Sequence, residues 1–233
     1  MKTRVVVLVG CISLASALAG CTGGGNGTAS EEEAVASAST TAVPTITHLA
    51  ELPEDYHAVT ASDAHIRFGL PKGWVDVDLG AEDLEAGLAA LGITGDQLDS
   101  MRTAIQALSE SGAVFWIDAL SIQKSSGHYA TNINVVCSDA PGVDTISRLE
   151  TTARIGVAQI GGENIETDRI KIAGRDAVRS SYDLAMGKVA ISGSQLYWIP
   201  TSDQACGLTL STDRPKAYRT IFETILQTVS FAA

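Results

Sequence analysis

The sequence predicts an α+β fold, an α/β/α sandwich in which a central antiparallel sheet is flanked by helices. Short strand patterns follow one another as hairpins, separated by turn residues. Patterns with helical spacing come in blocks between these hairpins, which favours an antiparallel sheet over a parallel βαβ arrangement. The 233 residues are 45% hydrophobic and 18% charged, enough apolar material for one buried core.

Short apolar or alternating runs bounded by Gly, Pro and Asp predict the strands. They are expected at residues 66–70, 74–77, 113–122, 131–137, 168–172, 176–185, 188–199 and 205–210. Apolar stripes at a spacing of three or four residues predict the helices. These are expected at residues 78–92, 96–110, 146–160 and 215–229. Asp78 would cap the first helix, and Pro215 would begin the last one.

The N-terminus has the three parts of a bacterial lipoprotein signal. Lys2 and Arg4 precede an apolar stretch at 5–19, which as a helix would be roughly 22 Å long, too short to span a hydrocarbon core of about 30 Å. The stretch ends in Leu-Ala-Gly-Cys at 18–21, which resembles a lipobox. We therefore expect residues 1–20 to be a signal peptide and Cys21 to carry acyl chains, palmitate among them.

The segment 21–50 is expected to be a lipidated N-terminus followed by a flexible tether. Residues 22–47 are mostly Thr, Ala, Gly, Ser and Glu, without an aromatic residue or a leucine.

A single globular domain is expected at 51–233. Loss of residues 1–20 leaves 14 basic and 27 acidic residues, a net charge of −13. These features predict an anchor of acyl chains in the cell membrane and a domain on its extracytoplasmic side.

Four motifs in this order resemble the PsbP-like fold, and more narrowly the actinobacterial envelope lipoproteins of the LpqN/LpqT type. They are FGLPKGW at 68–74, TNINVV at 131–136, IAGRDAV at 172–178 and the closing VSF at 229–231. The resemblance covers residues 57–231. It implies the α/β/α sandwich above, used for binding or assembly in the cell envelope, without a shared catalytic constellation.

The sequence lacks the residue patterns that nucleic-acid binding, metal binding and several kinds of catalysis require. The acidic balance argues against a nucleic-acid partner, because neutralising phosphates needs a basic face. The four histidines, His48, His57, His65 and His128, stand in no ligand spacing, so no metal is expected. No Gly-x-Ser-x-Gly elbow or phosphate-binding glycine loop occurs, so neither an enzyme nor a cofactor is expected.

A disulfide is predicted between Cys137 and Cys206. Cys11 leaves with the signal peptide and Cys21 is acylated, so two thiols remain in an oxidising compartment. Both lie in predicted strands, where each continues an apolar face. The alternative is two buried free cysteines.

Function is predicted as a non-catalytic binding or accessory module of the envelope, with an envelope protein or lipid as partner. The candidate binding surface combines Trp74, His128, Tyr129, Tyr197 and Trp198, which stand in or beside turns and loops. The alternative for the tryptophans is core packing. Two other functions stay open: an envelope hydrolase acting on lipid or cell-wall esters, and a carrier of a lipid or small molecule.

Overall fold

The computed structural model of the protein describes residues 43–79, 108–125, 129–186 and 189–232. Its secondary structure is mostly strand. The strands are β1 Thr45–Ile46, β2 Tyr56–Ala61, β3 Ile66–Pro71, β4 Trp74–Asp76, β5 Val114–Asp118, β6 Asn132–Asp139, β7 Glu163–Ile172, β8 Arg175–Met186, β9 Val189–Thr201, β10 Gln204–Thr212 and β11 Ser230–Phe231. The α-helices are α1 Ala119–Lys124, α2 Ile146–Gln159 and α3 Pro215–Gln227.

Within these described ranges, eight strands form a large sheet in the order β1-β7-β8-β9-β10-β6-β5-β4. Neighbouring strands are antiparallel except β1 and β7, which are parallel. A small antiparallel sheet has the order β11-β3-β2. The fold is therefore α+β, as predicted, with a second sheet in which β2 and β11 were not predicted as strands.

The large sheet is covered on both faces. Its α3 face packs against the small sheet and α3, and Trp116, Leu196 and Leu208 belong to this core. Its α2 face packs against Leu149 and Ala153 of α2. Alternation along each strand sends successive side chains to opposite faces, so neighbouring residues enter different cores.

Local sequence signals explain several boundaries. Thr145 caps α2, since its hydroxyl accepts a hydrogen bond from the Arg148 N–H at 3.4 Å. Pro215 stands in the first turn of α3, where its missing N–H is harmless. The β7–β8 turn places Ala173 at φ 48° and Gly174 at φ 78°, the positive values that a type I′ hairpin requires. These signals confirm the predicted starts of α2 and α3 and the predicted turn between β7 and β8.

Several boundaries differ from the prediction. The strand β2 was not predicted, and β7 begins at Glu163 and not at residue 168. The strand expected at 113–122 ends at Asp118, because the carboxylate of Asp118 accepts a hydrogen bond from the Leu120 N–H at 3.0 Å and starts α1. The tether expected to reach residue 50 ends earlier, because Thr45 and Ile46 pair with β7. The helices predicted at 78–92 and 96–110 lie mostly outside the described residues. In the described ranges, no helix has the length and apolar character to cross a membrane.

Candidate functional site

The predicted disulfide is present. Cys137 on β6 and Cys206 on β10 occupy directly paired positions, and their sulfur atoms are bonded across 69 positions of sequence. Cys206 is fully buried in the core between the large sheet and α3. Cys21 lies outside the described residues, so its acylation stays a prediction.

Burial contradicts the predicted aromatic binding surface. The exposed fractions are 8% for Trp74, 1% for Tyr129, 1% for Tyr197 and 0% for Trp198. These four side chains do not form an exposed surface in the native fold, so the predicted binding surface is wrong for them. The fifth member, His128, lies outside the described residues.

Coverage of both sheet faces is the physical reason for this difference. Trp198 points to the α3 face, where its ring centroid lies 5.6 Å from that of Phe231. Tyr197 points to the α2 face and packs in the cluster that contains Leu149. Tyr129 is fixed by hydrogen bonds, because its N–H donates to Ser125 Oγ at 2.7 Å. Aromatic residues beside turns are therefore core residues in this protein.

Buried polar side chains mark the candidate site. They form two rows across four neighbouring strands on the α2 face. We call these seven residues the polar layer: Ser180, Gln195, Thr209 and Asn134 in one row, and Tyr182, Ser211 and Asn132 in the next. Each residue is at most 4% exposed. Uncharged polar groups thus fill a place where apolar side chains usually pack.

Hydrogen bonds link part of the polar layer. Gln195 Nε2 donates to Thr209 Oγ1 at 3.3 Å, and the Tyr197 hydroxyl donates to Gln195 Oε1. Asn132 Nδ2 donates to the Tyr129 hydroxyl at 3.0 Å and to the Ala130 carbonyl at 2.9 Å. The glutamine and one asparagine are therefore held in fixed orientations.

Three atoms of the polar layer have no hydrogen-bond partner: Asn132 Oδ1, Asn134 Nδ2 and Ser180 Oγ. A buried polar group without a partner costs about 1–3 kcal/mol. Native proteins leave few such groups, and a cluster of them on one face of a sheet calls for a specific explanation. These atoms offer one acceptor, one donor and one hydroxyl that can do either.

Close packing holds Tyr182 over this surface. A Cβ at Gly193 would lie 2.2 Å from Tyr182 Cζ, so the ring rests directly on the glycine. Burial raises the pKa of Tyr182 to about 12, and it raises the pKa of Tyr129 and of Tyr197 as well. These phenols are neutral hydrogen-bonding groups at physiological pH.

The chemistry of the polar layer favours uncharged hydrogen-bonding groups. Every member of the polar layer is neutral, so a buried charge would lack a compensating partner there. Among the described residues, no three His, Cys, Asp or Glu side chains lie close enough together to hold a metal ion. The sequence signal for the layer is the alternation at 132–135 and 208–211, which is equally typical of a strand with one face in water.

Comparison with known proteins gives low similarity. No family model and no curated protein matches the chain. Among solved structures, PsbP (CyanoP) of Synechocystis is 16% identical, with 76% of this chain and 92% of that chain covered and a TM-score of 0.47. LpqN of Mycobacterium tuberculosis, involved in cell envelope biogenesis, is 11% identical, with 76% of this chain and 91% of that chain covered and a TM-score of 0.48. The Ran-binding protein Mog1p of Saccharomyces cerevisiae is 9% identical, with 76% of this chain and 95% of that chain covered and a TM-score of 0.45.

Proposed function

We propose that this chain is an acyl-anchored extracytoplasmic protein that binds a small uncharged polar molecule at the polar layer and performs no chemistry on it. The observation that carries the proposal is the group of three buried, unpartnered polar atoms on one sheet face. The protein would then be a carrier of a small molecule.

Stability alone does not explain the polar layer. Apolar side chains of similar size at Asn134 and Ser180 would remove unpartnered groups and their desolvation penalty. Residues that lower stability in this way are typical of functional sites. A ligand that supplies the missing hydrogen bonds would recover the lost free energy on binding.

The free atoms define the chemistry of the ligand. Asn132 Oδ1 needs a hydrogen-bond donor, and Asn134 Nδ2 needs an acceptor. The Ser180 hydroxyl can donate or accept. Hydroxyl and amide groups provide both functions without charge. We therefore propose a polyol, sugar or amide-bearing molecule as the ligand class.

A ligand-dependent thermal shift tests this assignment. Polyols, sugars and simple amides are screened against the wild type, Asn134→Leu and Ser194→Ala. Ser194 is the matched control, because its hydroxyl is also unpartnered but lies on the α3 face. We expect a ligand that raises the Tm of the wild type and of Ser194→Ala and leaves Asn134→Leu unchanged. An equal shift in all three proteins would contradict a site at the polar layer.

The extracytoplasmic location is supported by the lipobox at 18–21 and by the disulfide, since disulfides persist in oxidising compartments. Cell fractionation tests the anchor. We expect wild-type protein in the membrane fraction and Cys21→Ala in the medium or as an unprocessed precursor. Cys21→Ala at mature mass in the membrane fraction would refute acyl anchoring.

A further inference from the structure

A concave site lies on the small sheet, away from the polar layer. A cavity of about 190 Å³ opens between the segment 48–52 and the outer face of β2, β3 and β11. We call it the outer cleft. It is lined by His48, Leu49, Ala50, Leu52, Ala58, Arg67, Phe68, Thr228 and Ser230.

Backbone and side-chain contacts hold the outer cleft open. The Leu49 N–H donates to the Gln227 carbonyl at 2.9 Å, which ties the segment 48–52 to the end of α3. Leu52 packs so closely on Gly69 that a Cβ there would lie 2.7 Å from Leu52 Cδ2. The Thr228 hydroxyl accepts from the Gly69 N–H at 2.8 Å and donates to the Ile225 carbonyl at 2.6 Å. The walls of the cleft are therefore formed before any ligand binds.

The charge of the outer cleft is opposite to that of the chain. Arg67 and His48 line it, and none of the lining residues in the described ranges is a carboxylate, although the chain carries 27 Asp and Glu residues. Two other arginines are neutralised by carboxylates: the guanidinium of Arg169 lies 2.8 Å from Glu150, and that of Arg179 lies 2.6 Å from Glu223. Arg67 has no ion pair within the described ranges, so its guanidinium is available to a ligand.

We propose that the outer cleft binds a phosphate group carried on a short apolar stem. The guanidinium of Arg67 presents a fork of N–H donors that matches phosphate oxygens. The His48 imidazole and the Ser230 hydroxyl add donors from other sides, which suits a tetrahedral group with several oxygens. Ser230 Oγ is only weakly engaged, since it donates to the Arg67 carbonyl at 3.4 Å.

The apolar part of the ligand would contact the aliphatic wall. Leu49, Leu52 and Ala58 line the cleft beside the polar groups. Leu52 is 38% exposed, so it has apolar surface left to cover. This site is independent of the polar layer, because the two lie on different sheets.

Calorimetric titration of the mature protein with hexyl phosphate tests the proposal. We expect Arg67→Gln to weaken binding at least tenfold. Arg154→Gln is the matched control, because Arg154 is an exposed arginine of α2 outside the cleft, and it should bind as the wild type does. Leu52→Ala should weaken binding of hexyl phosphate and leave binding of inorganic phosphate unchanged.

Comparison of the hexyl phosphate titration with vesicle sedimentation distinguishes a soluble phosphate ester from a lipid headgroup. Sedimentation with phosphatidylcholine vesicles containing phosphatidic acid measures lipid binding, and retention that depends on Arg67 would assign the cleft to a headgroup. Binding of hexyl phosphate without such retention would assign it to a soluble ester. Failure of hexyl phosphate and vesicles alike, or equal loss in Arg67→Gln and Arg154→Gln, would overturn the proposal, and neither result bears on the polar layer.

Discussion

The hydroxyl of Tyr218 on α3 donates a hydrogen bond to the carboxylate of Asp118, the residue at which β5 ends. The other carboxylate oxygen of Asp118 caps α1. The guanidinium of Arg214 lies 6.0 Å from the centre of the Tyr218 ring. Through its two carboxylate oxygens, Asp118 therefore joins α3 to the large sheet and caps the start of α1.

Alkaline pH should weaken this connection. Burial, together with the neighbouring Asp118, raises the pKa of Tyr218 to about 12, whereas an unfolded tyrosine has a pKa of about 10. The folded state holds its proton more tightly, so this contribution to stability is complete below pH 10 and is lost as the pH rises towards 12. Urea denaturation from pH 8 to pH 12 should show this fall. It should be smaller in Tyr218→Phe, and an identical fall would contradict the assignment.

Two buried serines should respond to alanine in opposite directions. Ser180 Oγ has no partner, so Ser180→Ala should raise the free energy of unfolding of the ligand-free protein by about 1 kcal/mol. Ser121 Oγ donates to the Asp118 carbonyl at 2.6 Å and accepts from the Thr131 N–H at 2.8 Å. Ser121→Ala should lower the free energy of unfolding by about 1–3 kcal/mol. Equal destabilisation in chemical denaturation would show that Ser180 is hydrogen-bonded in the native protein.

Removal of the disulfide should lower stability. Closure of a loop of 69 residues contributes roughly 4 kcal/mol in the chain-entropy model. The double variant Cys137→Ala, Cys206→Ala should unfold at correspondingly lower urea. Reductant should lower the Tm of the wild type and leave that of the double variant unchanged, which provides the control. Alkylation of both thiols in the unreduced wild type would show that the bond is absent.

A methyl group at Gly193 should disturb the polar layer. It would overlap the Tyr182 ring, so Gly193→Ala should cost about 1–3 kcal/mol through overpacking. Gly207→Ala is the milder control, because its Cβ would lie 3.3 Å from the Tyr197 ring. Thermal denaturation of both variants measures the difference. Comparable Tm values for the two would contradict the close contact of Tyr182 with Gly193.

Local signals were sufficient for the regular elements. The cap at Thr145, the proline at 215 and the glycine turn at 174 each act within a few residues. The starts of α2 and α3 and the β7–β8 turn were therefore predicted correctly, whereas the start of β7 was not. The separate small sheet depends on pairing of β11 with β3, a contact between residues such as Ser230 and Arg67 that are distant in sequence. Local patterns hold no information about such pairing.

The candidate site was harder to predict for a related reason. Asn132 and Asn134 alternate with Ile133 and Val135, as in a strand with one face in water. The same alternation occurs here on a strand whose polar face is buried. Sequence does not state whether one face or both are covered, so the polar layer was missed and Trp198 was placed at a surface.

Native mass spectrometry of the protein extracted from its host envelope is the most direct test of the central claim, that the polar layer binds an uncharged polar molecule. The wild type and Ser194→Ala should carry a small-molecule mass excess that disappears on mild activation, and Asn134→Leu should not carry it. Absence of any bound mass from the wild type, or the same bound mass on all three proteins, would contradict the account.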